Sequence, residues 1–234
     1  MKKISFIGAY DKTDFILYLA KIITTVDKKV LVVDTTMNQK AKYVVPAIAP
    51  TVSYITEFED IDVAVGFENF TTIKDYLGIP EEKELDYDYV LLDIDNSKTL
   101  ENFEIVPIDN NYFVTSFDAY SLKRGLEIFN NAKETYKLTK ILYSKEILKE
   151  EDDYLNFLSL GLKIVWQESR VYLPLENGDQ TVITENQRLA KIKFKQLSQQ
   201  YKESLLYVAE EILQDVNESQ IRRAMRIIER DKGV

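Results

Sequence analysis

The stretch "FIGAYDKTDFILYLAK" (Phe6–Lys21) decides how the chain reads. An apolar strand end runs through a short turn into the pair Lys12-Thr13 and then into a helix with Phe15, Ile16, Leu19, Ile22 and Ile23 at helical spacing. A P-loop has this layout. Its glycines let backbone N–H groups converge on phosphate oxygens at a helix N-terminus, while Lys supplies charge and Ser/Thr holds Mg²⁺. Here Gly8, Lys12 and Thr13 are kept and most of the glycines are gone. The question is whether the loop still grips a phosphate.

Outward from this stretch, apolar runs of strand length recur: Ile4 to Ile7, "VLVV" (Val30 to Val33), "YVLLDI" (Tyr89 to Ile94), "YFVTS" (Tyr112 to Ser116), "KILYS" (Lys140 to Ser144) and "LKIVW" (Leu162 to Trp166). Helical stretches lie between several of them. The first two strands and their helix read as a right-handed βαβ unit. Strands this apolar read as buried on both faces, predicting an α/β fold with a doubly wound, mainly parallel sheet and helices on both sides. Residues 42–78, with Pro46, Pro50, a strand "DVAVGF" (Asp62 to Phe67) and a short helix near Thr71 to Tyr76, read as an insertion at the sheet edge. Apolar residues from Thr184 to Gln214 predict one or two long helices packed back on the sheet. The body spans 1–215. Residues 216–234 form a C-terminal amphipathic basic helix, capped by Asn217, with Ile221, Met225 and Ile228 on its apolar stripe.

Composition narrows the chemistry. The 234 residues include no cysteine and no histidine, which removes disulfides, thiolate catalysis, cysteine zinc sites and the usual general base. A net charge of −9 disfavours non-specific binding to nucleic acid or anionic lipid, unless a local basic patch intervenes. The chain enters a strand directly from "MKKISFIG", and no run of about 18 apolar residues occurs, so it reads as cytoplasmic.

From Lys12 onward the chain resembles the ParA/MinD family of deviant Walker A, SIMIBI-type P-loop ATPases. Leu19-Ala20 matches a Leu-Ala pair in the family's first helix, and "KKVLVVDTT" (Lys28 to Thr36) its second strand, ending in Asp34. "DYDYVLLDID" (Asp86 to Asp95) looks like the Walker B strand, with Asp93 in place of the Asp that meets Mg²⁺ through water. "YFVTSFDAYSLKRGLEIF" (Tyr112 to Phe129) is similar to the strand and helix opened by a Ser-Leu pair, here Ser121-Leu122. "VYLPLENGDQTVITENQ" loosely resembles the loop that encloses adenine, entered through Pro174.

The departures fall on chemistry. The family's K-G-G-x-G-K-T is I-G-A-Y-D-K-T over Ile7 to Thr13, so Ile7 stands where the signature lysine would cross a dimer. Asp11 replaces the glycine before the P-loop lysine, adding both a carboxylate and a Cβ to the phosphate nest. Thr36 replaces the carboxylate that orients the attacking water, and "DIDN" (Asp93 to Asn96) lacks the family's two prolines. Asp11 and Asp14 read instead as a relative of the capping box, an internal anion at the positive end of the helix dipole.

The resemblance therefore implies a degenerate, TadZ-like pseudo-ATPase with no catalytic residue and no cofactor, acting as an interaction or positioning scaffold. The machine served would be of pilus, secretion, conjugation or partition type, reached through a protein partner at a membrane-associated assembly or through a homodimer. The alternative is a slow ATPase switch holding ATP or ADP with Mg²⁺ through Gly8, Asp11, Lys12, Thr13, Asp34 and Asp93, with Thr13 and Asp93 at the metal. The candidate partner contacts are Arg222, Arg223, Arg226 and Arg230, read either as solvent-facing or as meeting an acidic partner or an anionic membrane.

Overall fold

A computed structural model describes residues 1–48, 50–105, 110–144, 148–174 and 176–230. The strands are β1 (Lys2–Ile7), β2 (Val30–Asp34), β3 (Tyr54–Phe58), β4 (Ile61–Val65), β5 (Tyr89–Ile94), β6 (Asn110–Thr115), β7 (Tyr136–Leu142) and β8 (Ile164–Tyr172). They form one sheet in the order β3-β4-β2-β5-β1-β6-β7-β8, parallel except for β3, which runs antiparallel to β4. The helices are α1 (Thr13–Thr24), α2 (Ala41–Val44), α3 (Phe70–Leu77), α4 (Ser97–Asn102), α5 (Ala119–Glu127), α6 (Lys149–Leu158), α7 (Asn177–Leu189), α8 (Gln199–Ile212) and α9 (Glu218–Arg230).

Two apolar layers sandwich the sheet. On one face Phe6, Val32 and Leu91 meet α1, α8 and α9 through Phe15, Leu205, Ile221 and Met225. On the other, Val33, Leu92 and Phe113 meet α3, α4, α5 and α6 through Ile73, Leu100, Leu122 and Leu155. The doubly wound α/β architecture read from the strand pattern is therefore present.

Several details differ from the sequence reading. β1 and β2 run parallel, as read, and β5 lies between them, a position that the strand pattern did not specify. Residues 42–78 supply both β3 and β4, and β4 pairs in parallel with β2, so the region builds the edge of the sheet itself. β8 is largely exposed, because as the last strand it has a neighbour on one side only. The stretch likened to an adenine loop turns into α7 from Asn177 on; its Leu175 lies outside the described residues, as do 231–234 of the last helix. Asn217 caps α9 as read, its Oδ1 accepting from Ser219 N–H at 2.9 Å.

Parallel register sets the carboxyl ends of β1, β5 and β2 side by side: Phe6 pairs with Asp93, and Asp93 with Asp34. In open α/β sheets this is the edge at which ligands bind. Gly8 is needed there for space, since at its φ of +155° a Cβ would fall 2.1 Å from the Val114 carbonyl oxygen of β6. Gly8→Ala is expected to cost about 3 kcal/mol of unfolding free energy, read by urea denaturation. An unchanged midpoint would show that the backbone simply relaxes.

Candidate functional site

Lys12 and Thr13 follow the β1 turn at the start of α1, and both are buried. The Lys12 ammonium, only 2% exposed, lies 2.7 Å from Asp93 Oδ1 and donates to the Gly8 carbonyl at 2.9 Å. Thr13 Oγ1 donates to Asp93 Oδ2 at 3.3 Å. Burial lifts the Asp93 carboxyl to about 6; the Lys12 charge pulls it down, and Asp34 pushes it up. Gly8, Asp11, Lys12, Thr13 and Asp93 thus come together as the sequence suggested.

Asp34 stands beside Asp93 in register but serves the next loop. Its Oδ1 accepts from Thr36 N–H at 3.0 Å and Thr36 Oγ1 at 2.6 Å, and its Oδ2 from Ala41 N–H at 2.9 Å. Asp95, close enough in sequence to suggest a metal pair with Asp93, instead accepts from Met37 N–H at 3.1 Å. Thr13 and Asp93 are the side chains of the cavity floor that would face a magnesium ion, and both are engaged with each other, Asp93 also with Lys12. Among the described residues no three acidic side chains converge to hold a cation unaided.

The proposed capping box does not close. Asp11 Oδ1 accepts from Thr13 N–H at 3.2 Å, so the carboxylate does face the helix N-terminus. Asp14 turns away, because Lys40 and Gln187 compete for it: Lys40 Nζ lies 2.7 Å from Asp14 Oδ2 and 2.5 Å from Asp11 Oδ2, and Gln187 Nε2 donates to Asp14 Oδ1 at 2.8 Å. Burial works against the Lys40 charge, but Asp14 and Asp11 outweigh it and the pKa rises. Lys40 escaped the sequence reading because it sits in an irregular loop, and only the β2–β5–β1 order brings it to the α1 N-terminus.

From Ala9 to Asp11 no residue takes a positive φ, so the alternating backbone that forms an anion nest is missing. Tyr10 packs on Tyr143 with ring centroids 4.4 Å apart. A cavity of about 310 Å³ remains over Lys12, Thr13, Lys40, Asp93 and Asp95, at the low end for small-molecule sites. A larger cavity of about 690 Å³ between α4 and the end of α5 is lined by buried Leu100, Ile105 and Ile128, and the charged residues on its wall, Lys98, Glu101, Glu104, Lys133 and Glu134, are all exposed. The buried ionisable groups favour the smaller one.

No protein-family model and no curated protein sequence matches the chain. Solved structures do. A plasmid partition protein from Borrelia burgdorferi bound to AMPPNP aligns with 92% of this chain and 99% of its own, at a TM-score of 0.54 and 14% identity. A ParA family ATPase from Chlorobium tepidum aligns over 97% and 98%, at 0.51 and 15%. The chain shares the fold of these two structures. At such identity the likeness is one of ParA-type fold, and the site must be argued from its own residues.

The predicted contact arginines lie on α9, exposed, with Arg222 Nε 2.9 Å from Glu210. Among the described residues no helix is long and apolar enough to cross a membrane.

Lys12→Met would leave Asp93 buried beside Asp34 without its cation. The folded carboxyl titrates at about 6 and the unfolded one at about 3.9. Between those values the folded state holds the extra proton, so this group's contribution to stability falls as pH rises. Without Lys12 the folded pKa climbs further and the decline extends upward. Lys12→Met is therefore expected to cost about 3 kcal/mol at about pH 8 and clearly less at about pH 5. Adding Asp93→Asn should recover part of the loss at the higher pH. Denaturation at both pH values checks this, and a pH-independent loss would contradict it.

Proposed function

We propose that this chain is a catalytically degenerate, TadZ-like pseudo-ATPase of ParA type, acting as a protein-interaction or positioning scaffold. The observation that carries the reading is the closed ion-pair network: Lys12 is held by Asp93 and the Gly8 carbonyl, and Asp11 faces the helix N-terminus with Lys40 against it. A polyphosphate entering here would have to draw Lys12 from a buried carboxylate, displace Asp11 and open the Lys40 bridge. The carboxylate that would orient water is replaced by Thr36, whose hydroxyl is already bonded to Asp34. Work would then be done by surfaces: the α9 arginines toward an acidic partner in a pilus, secretion, conjugation or partition machine, and the P-loop face toward a second copy. Recruitment to a membrane would come through the partner.

A second reading, a slow Mg²⁺-ATP-dependent dimerisation switch, draws on the cavity over Lys12, Thr13 and Asp93. The Borrelia burgdorferi protein of the same fold binds AMPPNP. Thermal melting with excess Mg²⁺-ATP, Mg²⁺-ADP or Mg²⁺-GTP separates the two, because ligand at about 100 times its Kd adds roughly 2.7 kcal/mol of stability. The scaffold predicts no shift; a clear upward shift would favour the switch. Ala9→Gly with Asp11→Gly should raise nucleotide affinity about tenfold or more, equivalent to about 1.4 kcal/mol. Unchanged affinity in that double variant would remove Asp11 as the internal anion.

A further inference from the structure

Two helices on opposite faces of the sheet carry stripes that the fold leaves uncovered. α6 buries Leu155 in the layer with Phe113. It turns Glu150, Asp153, Tyr154 and Phe157 outward, positions at i, i+3, i+4 and i+7 that share one helix face. Leu160 extends the apolar end just beyond it; Phe157 is 65% exposed and Leu160 74%. α9 buries Ile221, Met225 and Ile228 in the other layer. It turns Arg223, Arg226, Ile227 and Arg230 outward with the same spacing.

The fold itself uses neither set of charges. Asp152 turns to Lys140 at 2.6 Å, Arg222 to Glu210, and Glu229 to Lys202. Among the described residues the side chains of Glu150, Asp153, Arg223, Arg226 and Arg230 make no hydrogen bond or ion pair. The stripes have the same spacing and opposite charge, and each carries exposed apolar side chains, Ile227 between arginines on α9 and Tyr154 and Phe157 following the carboxylates on α6. Because the sheet separates them, one molecule cannot bring its own two stripes together.

We propose that α9 of one molecule docks on α6 of a second copy, arginines against Glu150 and Asp153, with Ile227 against Tyr154 and Phe157. The partner is thus a copy of this chain, which rests on the scaffold reading only in taking the α9 arginines as a contact for an acidic surface. The contact is heterologous: each copy keeps a free α6 and a free α9 after pairing. Since the two stripes face opposite ways across the sheet, association runs on into an open chain rather than closing as a two-fold dimer. Exposed ion pairs dominate it, so it is weak and sensitive to salt.

Charge exchange tests it in the full-length chain without nucleotide, by sedimentation velocity over a range of concentrations. One variant carries Arg223→Glu and Arg226→Glu, the other Glu150→Arg and Asp153→Arg. All four positions are exposed, and matching melting curves confirm that both variants fold. The native chain should rise in average mass past a dimer as concentration increases and fall back in about 1 M salt, where charges are screened within about 3 Å. Each variant alone should associate at least about tenfold more weakly. An equal mixture should regain large species, because the new acidic α9 meets the new basic α6. A native chain that never exceeds a dimer, a variant that assembles like the native chain, or a mixture no larger than its components would overturn the proposal. A dimer indifferent to these substitutions would leave the scaffold reading standing. A nucleotide-dependent melting shift would remove that reading without touching this contact.

Discussion

The ion pair between Lys12 and Asp93 governs the arrangement around it. It fastens the carboxyl end of β5 to the first turn of α1, and through the Gly8 carbonyl to the end of β1. Two charges withdrawn from water are tolerable only when each has its hydrogen-bonding needs met. Lys12 finds Asp93 and a backbone oxygen, and Asp93 Oδ2 accepts from Thr13, whereas Oδ1 has the charge of Lys12 at 2.7 Å but no aligned hydrogen bond. The cost of burial remains visible in the raised Asp93 pKa. A ligand that removes Lys12 would have to make good that whole arrangement, with Asp34 adding repulsion nearby. The same residues that a phosphate would meet are thus already paired with one another beneath the cavity.

Around this pair the loops are fixed by carboxylates. Asp34 pins Thr36 and the start of α2, Asp95 holds the Met37 amide, and Lys40 ties the second loop to Asp11 and Asp14 on α1. Three loops from distant parts of the chain are therefore tied to one another. Away from the site, α6 carries exposed Glu150 and Asp153, and α9 carries exposed Arg223, Arg226 and Arg230.

Much of the fold could be read from the residues alone because strand and helix periods are local. "YVLLDI" matches β5 residue for residue, and the α1 pattern and the meeting of Gly8, Lys12, Thr13 and Asp93 follow from a strand–turn–helix and one parallel pairing. Tertiary structure decided what local pattern cannot carry. β3 is a half-exposed edge strand that no apolar run marks, and β8 loses its burial for want of a second neighbour. Lys40 reaches Asp11 across a separation of 29 residues, and Asp34 turns to its own loop instead of the cavity over Lys12. The sequence by itself determined the apolar strands of the sheet, the helix after β1 and which charges lie at the strand ends. Only the order of strands in space decided which charge meets which, since a Coulomb contact depends on distance through the fold and not on distance along the chain.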